Sequence, residues 1–380
     1  MKTPLEISLP LEIDLVSFNV PCPPDYGGVI DVFYKIKALT ELGVRVHLHS
    51  FVYGRRRSLE LEKICETVSY YQRSRSLATL FSAYPHIVAS RNSQKLFTRL
   101  STTNRPVLLE GIHCTLPLLL LDLNGRRVVI RSHNIEHEYY YGLAKSTSCF
   151  LKRLFYNQEA RKLQKFEAIV EKSSAVACIS ESDRMHFGKK YSVFSETITP
   201  FHSFDGVKSQ EGFGNYVLIH GDLSVPENQK SISWLIDEVV FKIPFPVVIA
   251  GKNPPKHFSL KVAKNKNINL VPNPTNPELK NLIANAHVNL IHSFYPQGFK
   301  LKLLHSLYGG RFCICNSEVV VDTGLDKACF IANSSQDFIK SIHIAFETHF
   351  SSEMIQERQN LLNPFSNGVQ ARKLVQLLVG

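Results

Sequence analysis

Residues 13–51 read IDLVSFNVPCPPDYGGVIDVFYKIKALTELGVRVHLHSF. Ile13–Val20 is an apolar run of strand length. Val29–Leu42 carries apolar residues at helical spacing and stops at Gly43, a residue that ends helices well. Val44–Phe51 is a second apolar run. Strand, helix and strand in that order form a unit whose two strands run parallel.

The same alternation continues outward. Pro106–Glu110, Arg127–Ser132 and Ala175–Ser180 are further buried-strand runs, and residues 152–172 are rich in helix formers. The irregular stretch Ile198–Asn215 reads as a linker. Past it the pattern restarts: strands over 216–221, 246–251, 268–273 and 288–293, with a helix opening on Pro226. Strands buried on both faces imply parallel sheets covered by helices. The expectation is α/β: two Rossmann-like doubly wound domains, 1–200 and 201–380, facing a central cleft. The terminal helix after Asn367 is amphipathic and suits either domain.

Bulk properties narrow the function classes. The 380 residues suffice for one large or two ordinary domains. A formal net charge of +11 favours polyanions: nucleic acid, anionic lipid or phosphorylated substrates. No nucleic-acid fold signature accompanies the basic cluster Gly54–Ser58 with Arg73 and Arg75, so nucleic acid is not expected. That cluster is either a solvated basic face or a docking face for anionic headgroups. The eight cysteines show no C-x-x-C spacing, which suggests a reduced compartment. Cys313 and Cys315 alternate in a strand and read as core. Residues 1–18 make a poor signal peptide, and Leu116–Leu123 is too short to cross a bilayer. A cytoplasmic protein is expected, peripheral at the inner membrane face if it meets membrane at all.

Chemistry in such sheets lies beyond the carboxyl ends of strands, and four motifs fall there. Gly27 and Gly28 follow the first strand and open a helix, whose free N–H groups suit an anion. His133 and Asn134 end another strand in RSHNIEHEYYYGLA (131–144); His137 and Glu138 read as surface. The pair His133/His137 lacks the zinc H-E-x-x-H form, and no metal is expected. Gly221 ends a strand whose loop amides suit phosphate, with Lys230 the nearest cation. In YPQGFKLKLLHSLYGGRFCICNS (295–317), Gly298 precedes a helix, and Lys300 and Lys302 add charge. Two residues apart on a helix they cannot share a face, so one of them is expected at a ligand.

Taken in order, these four pieces over nearly the whole chain resemble the GT-B glycosyltransferases of the family 4 type. The resemblance implies transfer of a sugar from a nucleotide-sugar to an acceptor hydroxyl, with retained configuration and no metal or cofactor. It implies a donor-binding C-terminal domain and an N-terminal domain that takes a glycan or lipid-linked acceptor. It places Gly27 and Gly28 near the donor diphosphate and His133 at the transferred sugar. Gly298 and Lys300 fall on the diphosphate-side turn. Two glutamates of the usual segment are replaced by Gln297 and His305, and the usual basic residue of the Gly221 loop by Asp222 and Leu223. Lys300, Lys302 and Lys230 are candidates to compensate. Two other readings stay open: a non-catalytic protein of this fold that binds glycan or a partner, and a UDP-sugar epimerase using Glu110 and Glu136.

Overall fold

The structure, a computed structural model, describes residues 11–380 apart from Asn124, Ser148, Lys264 and Gln297. Its contacts divide the chain into two compact units, Met1–Ser203 with Asn367–Gly380, and Phe204–Ser366. The terminal helix, open above to either domain, belongs to the first unit. Its apolar stripe of Ala371, Leu374, Val375 and Leu378 is buried in that unit's core beside Val32, Ile36 and Leu39.

The first unit holds a seven-stranded sheet in the order β3-β2-β1-β4-β5-β6-β7. The strands are β1 Glu12–Ser17, β2 Arg45–Val52, β3 Thr67–Gln72, β4 Val107–Glu110, β5 Val128–Ser132, β6 Ala175–Cys178 and β7 Ser195–Thr197. The second unit holds a six-stranded sheet in the order β10-β9-β8-β11-β12-β13. Its strands are β8 Val217–Asp222, β9 Val247–Lys252, β10 Ile268–Pro272, β11 Val288–Ile291, β12 Phe312–Cys315 and β13 Phe330–Ile331. Every pairing between these strands is parallel. Order reverses at β1/β4 and again at β8/β11, the two places where doubly wound sheets open a ligand crevice.

Stretch by stretch, the residues explain this. Val107–Glu110 and Val128–Ser132 are buried along their whole length, as a central parallel strand must be. The Gly27–Glu41 helix buries Val29, Val32, Phe33, Ile36 and Leu39, its apolar stripe. The stretch read as a linker is packed at its start. Ile198 and Phe201 are fully buried, because Phe201 N donates to Asp31 Oδ1 at 2.9 Å and fixes the chain against the Gly27–Glu41 helix.

One glycine holds the second sheet close. Gly251 on β9 is the register partner of Gly221 on β8. A Cβ at Gly251 would stand 2.1 Å from the Gly221 carbonyl oxygen. Gly251→Ala is expected to lower stability by about 1–3 kcal/mol, the range for overpacking a close contact. Urea unfolding would check this, and an unchanged midpoint would show the strands free to part.

Candidate active site

In the first unit the reversal point carries a buried cluster of charge. The helix following β1 contributes Asp31 and Lys35, one turn apart. Glu110 ends β4 and Arg131 lies near the end of β5. Lys35 Nζ donates to Asp31 Oδ2 at 2.8 Å and to both Glu110 oxygens at 2.7 and 2.8 Å. Arg131 donates to Asp31 through Nε at 3.1 Å and Nη2 at 2.9 Å. Burial alone would raise the Asp31 carboxyl, but Arg131 and Lys35 hold it well below the usual carboxylate range. Burial likewise opposes ionisation of Glu110, and Lys35 and His133 overcome it.

His133 is the outermost member of this cluster. Its Nε2 lies 3.0 Å from Glu110 Oε2 and its Nδ1 3.8 Å from Asp31 Oδ2, with 12% of the side chain exposed. Phe18 packs edge-on against its ring at 5.7 Å. The ring is thus oriented on two sides, as a group that positions a ligand should be. Asp31, Glu110 and His133 are near enough together to resemble a metal triad. The Lys35 ammonium already occupies the cation position between the two carboxylates, which supplies the positive charge they need.

Gly28 packs against the same aromatic residue. A Cβ there would sit 2.9 Å from the Phe18 ring, so the glycine admits the ring that supports His133. Gly27 is the first residue of the helix, whose N-cap Tyr26 makes no side-chain cap. Asn134 lies two residues before Glu136 and favours its ionised form. Burial nevertheless pushes Glu136 up to about 7. Its folded value lies above its unfolded one, so folding takes up a proton and stability falls as pH rises from about 4.5 to 7. Glu136→Gln is expected to remove that slope, gaining about 1–3 kcal/mol at pH 8 and nothing at pH 4. Chemical unfolding at the two pH values would check this; equal effects at both would show the carboxyl solvated.

His137 departs from the surface reading. It is buried, with Nδ1 2.5 Å from Glu167 Oε2, and His186 takes the other Glu167 oxygen at 2.5 Å. The helical phase that exposes Glu138 turns its neighbour His137 inward. The basic cluster is also partly inward: Arg55 donates to the carbonyls of Val20 and Pro23 and pairs with Asp25. Arg57 and Arg73 lie over the rings of Tyr70 and Tyr53.

In the second unit, three segments converge at the β8/β11 reversal. Gly221 lies inside β8 rather than ending it, because Asp222 still pairs with Lys252. The amides of the following loop are already engaged. Leu223 N donates to Lys252 O at 2.8 Å, and Asp222 Oδ1 accepts from both Ser224 N and Ser224 Oγ. The expected amide cradle is thereby used up internally, and positive charge must come from elsewhere.

It comes from the segment after β11. Gly298 has φ +72, a left-handed turn that suits glycine. The helix begins only at Leu301, with Lys300 as an extended N-cap. Lys300 is therefore not bound by helical phase, and the two-residue spacing does not force the two ammoniums onto opposite faces. Lys300 Nζ lies 3.9 Å from Glu227 Oε1, and Lys302 Nζ donates to the neighbouring Asn228 Oδ1 at 3.4 Å. Both ammoniums thus reach the first turn of the Pro226–Glu238 helix. Burial first, then Lys300, lowers Lys302 to about 8. Burial lowers Lys300 as well, against Glu227.

Lys230 is held apart from this pair, its ammonium 4.3 Å from the Phe294 ring centroid. His305 stacks parallel to His220, 6.4 Å between centroids, and meets Phe204 edge-on. Burial, His305 and Lys302 together lower His220 to about 3, so it stays neutral. Gln297 lies outside the described residues. Asp31, Lys35, Arg131, Glu227, Asn228 and His220 are contributors that the motif reading passed over. The i, i+4 pair Asp31/Lys35 inside an apolar helical stripe was the one available signal for the first cluster.

Known proteins can be set against this geometry. No family model matches the chain. TarM superposes with a TM-score of 0.68 at 11% identity, covering 97% of this chain and 99% of that one. HepE of Anabaena, in complex with UDP and glucose, gives 0.61 at 11% identity over 97% and 99%. A glycosyltransferase from Rickettsia africae gives 0.64 at 13% over 97% and 98%. The fold is GT-B. Its two parallel α/β sheets, of seven and six strands, match that fold. In sequence, an uncharacterized 44.6 kDa protein in the cps region of Klebsiella pneumoniae is 24% identical over 382 residues, covering 93% of this chain and 95% of the relative. Among the described residues no helix is long and apolar enough to cross a membrane.

Proposed function

We propose that the protein is a glycosyltransferase of the family 4 type, moving a sugar from a nucleotide-sugar to an acceptor hydroxyl. The observation that carries this reading is the convergence of Lys300 and Lys302 on the first turn of the Pro226–Glu238 helix. Two partly desolvated ammoniums at a helix N-terminus favour a diphosphate. HepE, which holds UDP and glucose, supports a nucleotide-sugar as the donor.

In this reading the lysines stabilise negative charge on the departing nucleoside diphosphate, where it develops in the transition state. No divalent ion is then needed for that task. The acceptor attacks from the face the diphosphate leaves, with retained configuration. His133, held by Glu110, orients the transferred sugar, and Gly27, Gly28 and Asn134 shape its surroundings. Gly298 and His305 lie on the donor side, His305 toward the ribose, as a hydrogen-bonding group where a carboxylate is usual. The first unit takes a glycan or lipid-linked acceptor, at an anionic membrane surface where the acceptor is a lipid. The relative in a cps region supports a role in polysaccharide synthesis. The epimerase reading has less support, because Glu110 is locked between Lys35 and His133 and Glu136 is buried.

Calorimetric titration with UDP, GDP and their sugar conjugates tests the proposal. One nucleotide should bind saturably, and His305→Ala should weaken it about tenfold, the loss of one or two hydrogen bonds. No binding by folded protein would leave the non-catalytic reading in its place.

A further inference from the structure

At the edge of the second sheet, β12 and β13 lie side by side. Ile314 pairs with Phe330 and Cys315 with Ile331. Continuing that register back by one residue sets Cys329 opposite Cys313. Alternation along β12 puts Cys313 and Cys315 on one face. The three sulfur atoms lie within 4.8 Å of one another, and all three residues are free thiols. Cys313 and Cys315 are buried, while Cys329 is partly exposed.

A second observation bears on the same place. Arg358 is buried, only 6% exposed. Its guanidinium donates to Gly310 O at 2.6 Å and Ser209 Oγ at 3.3 Å and lies 4.7 Å from the Phe350 ring centroid. Among the described residues no carboxylate pairs with it, and the ionisable groups that act on it are Cys313 and Cys329. A buried cation without a counter-charge is unfavourable. Metal-bound thiolates at Cys313 and Cys329 would supply that counter-charge.

We propose that Cys313, Cys315 and Cys329 bind one thiophilic divalent cation of the zinc or cadmium class. Three S–H bonds break, three sulfur–metal bonds form, and three protons leave to solvent. Three thiolates, a divalent ion and the Arg358 guanidinium together carry no net charge, whereas a monovalent or trivalent ion would leave some. Sulfur ligands about 2.3 Å from zinc stand roughly 3.8 Å apart, which the observed grouping allows. Partly exposed Cys329, beside a two-residue edge strand, gives the entry path. The site is separate in sequence and chemistry from the proposed donor site.

The test uses full-length, reduced, chelator-stripped protein titrated with Cd²⁺. Sulfur-to-cadmium charge-transfer absorbance should saturate at one ion per chain, with an amplitude for three thiolates. The ion should slow alkylation of Cys329 and leave exposed Cys149 unaffected. Cys329→Ser should weaken binding at least about tenfold, and Arg358→Lys should keep it within about tenfold, since the charge remains. Cys329 is partly exposed, so its variant keeps the test decisive if Cys313→Ser or Cys315→Ser fails to fold. No charge-transfer band from folded protein, or a band unchanged by Cys329→Ser, overturns the proposal.

Discussion

Lys35→Met is expected to destabilise the protein by about 3–5 kcal/mol, the range for removing one partner of a buried ion pair. Lys35 and Glu110 are both fully buried, and the ammonium reaches both Glu110 oxygens and Asp31. Methionine fills the space but leaves Glu110 with His133 alone as partner. The loss should be largest at neutral pH. As pH falls the stranded Glu110 of the variant takes up a proton, while Lys35 holds it ionised in the parent, so the loss should shrink toward pH 4. Lys35→Met with Glu110→Gln should recover part of the loss, because no buried anion is then stranded. Urea unfolding at pH 7 and pH 4 measures both effects. A loss below about 1 kcal/mol at pH 7 would show that water reaches the cluster and that His133 is not rigidly mounted.

Lys302→Met should lower sugar transfer about 10²–10³-fold, the usual effect of losing one preorganised stabiliser of developing charge. The same substitution should weaken nucleoside diphosphate binding. Its pH behaviour separates this role from a merely structural one. The free ammonium titrates at about 8, and a bound diphosphate would favour its protonated form. Binding is therefore flat below about pH 8 and weakens above it by up to about tenfold per pH unit. Without the lysine that slope should disappear. A parent protein whose diphosphate affinity stays constant from pH 7 to 10 would place the phosphate elsewhere.

The strands that form the centre of each sheet were legible because central parallel strands must be apolar on both faces. Three strands escaped. Thr67–Gln72 is half-exposed and lacks an apolar run, and β7 and β13 are three and two residues long. The place of His133 was legible because it follows directly on the apolar run of β5, beyond the carboxyl end of that strand. The pairing of Lys300 with Lys302 was not. Helical periodicity alone cannot say that the helix waits until Leu301 and leaves Lys300 extended. His137 failed for a related reason: its partner Glu167 is far along the chain, and a polar run gives no sign of which member turns inward. Lys35 and Asp31 could not be joined to Glu110 and Arg131 from the sequence, because β4 and β5 bring those partners from far along the chain.

The return of Asn367–Val379 to the first unit has a consequence for biosynthesis. The second unit is one continuous segment and has all its residues before the last helix is made. The first unit is not complete until residues 367–379 leave the ribosome, because Leu374, Val375 and Leu378 close its core. Thr199 N waits for Gln370 Oε1, and Arg127 Nε for the carbonyl of Leu377. The half of the chain made first is thus the half that finishes folding last, and a nascent chain carries an open apolar seam along the Gly27–Glu41 helix throughout synthesis of the other.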